Sequence, residues 1–126
     1  MKSYTDIEQS KVLSNILPLE SADMFYDGVQ DLYKEKVYNI PLNGSTITVR
    51  TGHIITQEGI KSNLLLPCWS LTALLNALPN DCGVNKEEDK FVASYLISDE
   101  CGAYTSDNPI DACYEMIIKL KENKLI

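Results

Sequence analysis

The sequence predicts an α+β fold: a largely antiparallel sheet of hairpins with about three helices packed on it. Three observations carry this expectation. The segment Asn108–Leu120 meets nearly every local rule for a docked amphipathic helix. Asn43-Gly44 is the favoured two-residue hairpin loop, set between alternating apolar residues. The run Phe91-Val92-Ala93-Ser94-Tyr95-Leu96-Ile97 has the composition and length of a strand. At 126 residues the chain is expected to form a single globular domain, 1–126, large enough to bury a core without metals or disulfides.

The elements follow in order. Thr5 and Glu8 stand at capping-box spacing, and Val12, Leu13, Ile16 and Leu17 form a short apolar stripe that Pro18 ends; a helix over 6–17 is predicted. Residues 19–36 read two ways. Phe25, Val29, Leu32 and Tyr33 fit a helical stripe, but Asp27-Gly28 is a turn signal, and two short strands, 23–27 and 32–40, are the preferred reading. Folding at Asn43-Gly44 would set Ile40 opposite Ile47 and Tyr38 opposite Val49 on one face. Pro41 makes 36–42 an edge strand or a strand end. The partner strand runs through 46–51, with Gly52 marking a bulge or bend.

A second helix is predicted after Pro67, with Leu71, Leu74, Leu75 and Leu78 on one face, Trp69 as a core anchor and Pro79 as its stop. Residues 80–90 are polar and rich in turn formers, and read as an exposed loop. After the strand 91–97, Asp99–Gly102 should turn the chain and Ala103–Thr105 return as a short partner. The last helix is capped by Asn108, with Pro109 at its first position and Asp111 at the capping-box acid position. Its buried face comprises Ile110, Cys113, Ile117 and Leu120.

Acidic residues outnumber Lys plus Arg by 18 to 11, a net charge of -7, which argues against direct duplex nucleic-acid binding because no basic patch is available to neutralise phosphates. Met1–Asp6 has no apolar signal core, and the run Leu64–Trp69 is too short for a bilayer span; a cytoplasmic protein with no membrane contact is expected. Cys68, Cys82, Cys101 and Cys113 show no ligand-pair or disulfide-framework spacing, so reduced thiols are expected.

The sharpest enzymatic reading is a thiol nucleophile. Cys68 would stand at the N-terminus of the second helix, where the helix dipole lowers a thiol pKa, and His53, the one histidine, could act as base. If the strand continues unbroken, however, His53 shares a face with Ile47, Val49 and Ile55 and points into the core. A lone Cys and a lone His without a local signature are weak evidence. Asp23, Asp27, Asp31 and Glu35 could line one helix face, but a solvated face is the simpler reading, and Asp81–Asp89 does not follow the EF-hand order. The glycines form no phosphate-binding pattern. No catalytic residue, metal or cofactor is therefore assigned.

Three stretches carry a resemblance: Thr5–Ser10 with Glu20–Met24, Pro67–Leu75 with Leu78-Pro79, and Asp107–Cys113 with Glu115–Ile117. Through its W-S-L-x-A-L-L and D-N-P-x-D-A-C blocks the chain resembles a family of small uncharacterised bacterial proteins found among phage-like and mobile-element genes. The resemblance implies a genomic context and transfers no functional residue. The expected function is that of a small cytoplasmic accessory protein that binds a macromolecule, in first place a protein; the alternative is a small thiol-dependent enzyme using Cys68 with His53.

Overall fold

The computed structural model describes residues 2–28, 48–54 and 65–126. They form an α+β protein with two antiparallel three-stranded sheets. The chain divides into two compact units, Thr5–Ser70 and Met1–Tyr4 with Leu71–Ile126.

The unit Thr5–Ser70 contains helix α1 (Ile7–Leu13), a 3-10 turn (Leu19–Ser21), and strands β1 (Met24–Asp27), β2 (Thr48–Thr51) and β3 (Leu65–Cys68). Strand β1 is central, in the order β2-β1-β3, with Phe25 opposite both Arg50 and Pro67. The N-cap of α1 is Asp6 rather than Thr5. Its carboxylate accepts from Gln9 N at 2.8 Å, while Gln9 Oε1 accepts from Asp6 N at 3.1 Å, a complete capping box one residue later than expected. Thr5 is diverted because it is wholly buried and its polar atoms bond elsewhere. Regular helix also ends earlier, at Leu13, and the chain continues in tighter turns, with Asn15 N bonded to Val12 O and Ile16 N to Leu13 O. Leu13 and Leu17 are buried, but Val12, expected in the same stripe, is exposed.

Beyond Asp27, Gly28 takes φ +94°, as the Asp-Gly turn signal requires. The Asn43-Gly44 hairpin, its Ile40–Ile47 register, the strand 32–40 and the edge 36–42 lie outside the described residues. The predicted strand 46–51 is seen as β2 over Thr48–Thr51.

The second unit contains α2 (Leu71–Ala77), β4 (Cys82–Glu87), β5 (Lys90–Ile97), β6 (Glu100–Ser106) and α3 (Pro109–Glu122). The strands form a meander in the order β4-β5-β6. Helix α3 packs on β5 and β6 and against α2. Asn108 caps α3, accepting from Asp111 N at 2.9 Å, with Pro109 at the first helical position. The Asp111 carboxylate does not return to the Asn108 backbone. It accepts from Asn108 Nδ2 at 2.7 Å and from Lys2 Nζ at 2.7 Å. Ile110, Cys113, Ile117 and Leu120 are fully buried, and Met116 joins them. In α2, Leu74 and Leu78 are buried while Leu75 reaches the surface.

Two expectations are corrected here. Residues 82–87 are a strand, not a loop, paired from Cys82 opposite Tyr95 to Glu87 opposite Lys90 around a Glu88-Asp89 connection. The charges reflect exposure of one face and the tip. Cys82 and Val84 share the face of buried Tyr95 and Ala93, while Gly83 and Asn85 share the other with Ser94 and Val92. The next turn is Ser98-Asp99, both left-handed (φ +50° and +70°), not Asp99–Gly102. Gly102 lies within β6 because the Tyr95 ring covers it. A Cβ at Gly102 would come within 2.7 Å of Tyr95 Cε1.

Candidate functional site

The two residues singled out for thiol chemistry occupy different environments. Cys68 is the last residue of β3, ahead of α2 rather than at its N-terminus, and is completely enclosed. Burial, and secondarily the Asp23 carboxylate, push its thiol up to about 12. A thiol so held stays protonated at neutral pH and is a poor nucleophile. His53 is exposed. The expectation that it faces the core fails because β2 stops at Thr51 and Gly52 adopts φ +131°, which breaks the strand alternation. Gly52 N donates to Asp23 O at 2.9 Å and fixes this bend.

Around Cys68 lies a polar cluster that no sequence motif announced. Thr5 N donates to Trp69 O at 2.9 Å, and Trp69 N donates to Thr5 Oγ1 at 3.1 Å. Thr5 Oγ1 shares a 2.7 Å hydrogen bond with Ser10 Oγ, and Tyr26 Oη donates to Thr5 O at 2.7 Å. The fully buried Trp69 indole donates from Nε1 to Ser21 Oγ at 2.9 Å. Asp23 accepts from Ser70 N at 3.0 Å and from Ser70 Oγ at 2.5 Å. Each hydroxyl bonds a backbone group, another hydroxyl, the Trp69 indole or the Asp23 carboxylate, which is the chemistry of a specified core. Trp69 is thus the core anchor the sequence predicts. Thr5 precedes the Asp6 cap and stands five residues from Ser10, off the helical repeat, so neither this contact nor the Thr5–Trp69 bonds had a signal in the sequence.

The remaining candidates are scattered. Asp27 pairs with Arg50 Nε at 3.2 Å on the surface, while Asp31 and Glu35 lie outside the described residues. Among the described residues no group of three His, Cys, Asp or Glu side chains is placed to hold a metal ion. All four cysteines are free thiols. Cys113 is pushed up to about 12 by burial and then by neighbouring Cys82, whose own thiol is raised by burial and by Asp81. Cys101 is exposed.

The second unit offers a surface instead of a cluster. One face of its sheet carries α3. The other presents Gly83, Ser94 and Ala103 in one row, Asn85, Val92 and Thr105 in the next, and Leu96 beside Cys101. Leu96 is 62% exposed, the most exposed large apolar side chain among the described residues. Asp81, whose carbonyl accepts from Leu96 N at 3.1 Å, and the Glu87–Lys90 pair bound these otherwise uncharged rows.

The fold and these surfaces define an α+β protein with a hydroxyl-bonded core in one unit and, in the other, a sheet face that no element among the described residues is seen to cover. No protein-family model, curated protein or solved structure matches the chain significantly. No helix among the described residues is long and apolar enough to cross a membrane.

Proposed function

We propose that this chain is a small cytoplasmic accessory protein that binds another protein through the uncovered face of the β4-β5-β6 sheet. The observation that carries the reading is the uncharged, partly apolar surface centred on Leu96, Val92 and Ser94, on a strongly acidic protein. A polar-rimmed, charge-depleted patch is the composition that distinguishes protein-binding surfaces. Four reduced thiols support a reducing compartment, and the acidic balance disfavours direct contact with duplex nucleic acid. The resemblance at the W-S-L and D-N-P blocks directs the search for a partner to phage-like and mobile-element neighbours.

The test is affinity capture from the host with the parent and two variants. Leu96→Glu places a charge on the face, and Val12→Glu places one at an exposed position of the other unit. A partner retained by the parent and by Val12→Glu but lost with Leu96→Glu supports the reading. A partner retained equally by all three removes this face as the binding surface. The alternative, a reaction at Cys68 assisted by His53, is tested by thiol titration. Cys101 should react first at neutral pH and Cys68 only on unfolding; a fast, acidic Cys68 would reverse the ranking.

A further inference from the structure

Two cysteines of the second unit reach the same layer from different elements. Cys82 opens β4 opposite Tyr95, so its side chain shares the face of Val84, Ala93 and Tyr95, on which α3 packs. Cys113 lies on the buried stripe of α3 with Ile110 and Ile117 and is fully enclosed. α3 approaches β4 to within 8 Å between Cα atoms, and Cys82 is the ionisable neighbour that the Cys113 thiol feels. Cys82 is only half-buried, so one thiol of the pair meets solvent and the other does not. The remaining cysteines are placed otherwise. Cys101 stands opposite Leu96 on the other face of the sheet, and Cys68 is enclosed in the other unit.

We propose that Cys82 and Cys113 form a redox-sensitive latch, in which a hydroperoxide joins the two thiols in a disulfide that ties β4 to α3. Bridged cysteines have Cα atoms about 4.4–6.8 Å apart and side chains that face each other. A strand and a helix that approach within 8 Å, with both side chains in the layer between them, meet this demand with little movement. The Cys82 sulfur attacks one peroxide oxygen, the O–O bond breaks, and an alcohol or water leaves with the thiol proton, which gives a sulfenic acid. The Cys113 sulfur then attacks the Cys82 sulfur, the S–O bond breaks, and water leaves with the Cys113 proton. Two thiols lose two electrons in all, and one peroxide gains them. Burial sets the order, because the oxidant reaches Cys82 and not Cys113. Burial also sets the lifetime. It raises both thiols, Cys113 to about 12, so each is a slow leaving group under attack by an outside thiol, and the closed latch resists reduction. The latch goes beyond protein binding by the sheet, since it lies on the opposite face and requires no partner.

The test uses the purified full chain carrying Cys101→Ser, which removes the exposed competing thiol. The folded chain is treated with hydrogen peroxide, alkylated, and cleaved before its aspartates, which leaves Cys68, Cys82 and Cys113 on separate peptides. The Cys82 and Cys113 peptides should be joined within one chain, in a product lighter by two hydrogens that dithiothreitol reverses. The same treatment in denaturant is the control: there Cys82 should choose Cys68, the cysteine nearer in sequence, so the choice of Cys113 reports the fold. Cys82→Ser should leave Cys113 as a free thiol under the same peroxide. The linked chain should melt several degrees above the reduced chain and return on reduction. A Cys113 thiol that stays free while Cys82 is oxidised further, a Cys82 joined to Cys68 or to another chain under folding conditions, or a linked chain that melts below the reduced one would each overturn the proposal.

Discussion

The two units solve the same problem with different materials. In Thr5–Ser70 the central strand β1 draws partners from distant parts of the chain, and the enclosed space holds Thr5, Ser10, Tyr26 and Trp69 joined by hydrogen bonds. In the other unit each strand pairs with its neighbour in sequence, and one helix covers the sheet with Ile110, Cys113, Met116, Ile117 and Leu120, all fully buried. A core closed by apolar side chains tolerates volume-conserving exchange. A core closed by hydroxyls does not, because each lost partner strands a buried donor or acceptor. The first unit is thus specified atom by atom and the second by pattern, which leaves the second's outer face free to vary.

The largest expected effects come from the anchors. Trp69→Ala should cost about 3–5 kcal/mol and Ile117→Ala about 2–5 kcal/mol in denaturant unfolding. Trp69→Phe sharpens the contrast, since it leaves part of the fully buried indole volume empty and removes the Nε1 bond to Ser21 Oγ; it should remain clearly destabilising, whereas Ile117→Leu should be nearly tolerated. Equal tolerance at both positions would break the comparison.

Alkaline pH probes one thiol in each unit. Cys68 and Cys113 are raised from the ordinary 9.0 to about 12. Above pH 9 the unfolded chain releases these protons while the folded chain keeps them, so stability is intact below pH 9 and declines between about 9 and 12. The decline approaches roughly 1.4 kcal/mol per pH unit for each thiol. Unfolding curves at pH 8 and above, compared with Cys68→Ala and Cys113→Ala, should show each variant losing its own share of the slope.

Smaller effects separate polar from steric specification. Thr5→Val leaves Trp69 N–H without its acceptor and should cost about 1–3 kcal/mol despite conserving volume. Gly102→Val drives a side chain into the Tyr95 ring and should cost a similar amount, about 1–3 kcal/mol, through overpacking. A double variant with Tyr95→Ala should recover part of the Gly102→Val loss, and failure to do so would remove the ring contact as the cause. The caps come last: Asp6→Ala and Asn108→Ala should each cost about 1 kcal/mol, read as a lowered melting temperature.

The residues that were legible in advance are those whose partners lie within a few positions. Asn108, Pro109 and the buried stripe of α3 are fixed by helical periodicity and by the need to satisfy the first free N–H groups, and all can be read from 108 to 120. The strand at 91–97 is fixed by composition in the same way. Strand β4 was hidden because its alternation, Cys82 and Val84 inward against Gly83 and Asn85 outward, is overlaid by the charges of its tip. The candidate thiol was misplaced for a related reason: Pro67 reads locally as a helix start, yet it sits on an edge strand, where a missing N–H is tolerated.

By itself, then, the sequence determined the α+β class, the final helix with its cap, the role of Trp69 as an anchor and the acidic net charge. These rest on local propensity, periodicity and summed charge. The tertiary structure alone decided that Thr5 serves Trp69 instead of capping α1, that His53 turns outward at Gly52, that Cys68 is enclosed with a raised thiol, and that Leu96 stands exposed on the β4-β5-β6 sheet. Each of these depends on which distant backbone groups meet, and chain closure over such separations leaves no periodic trace in the residues that it joins.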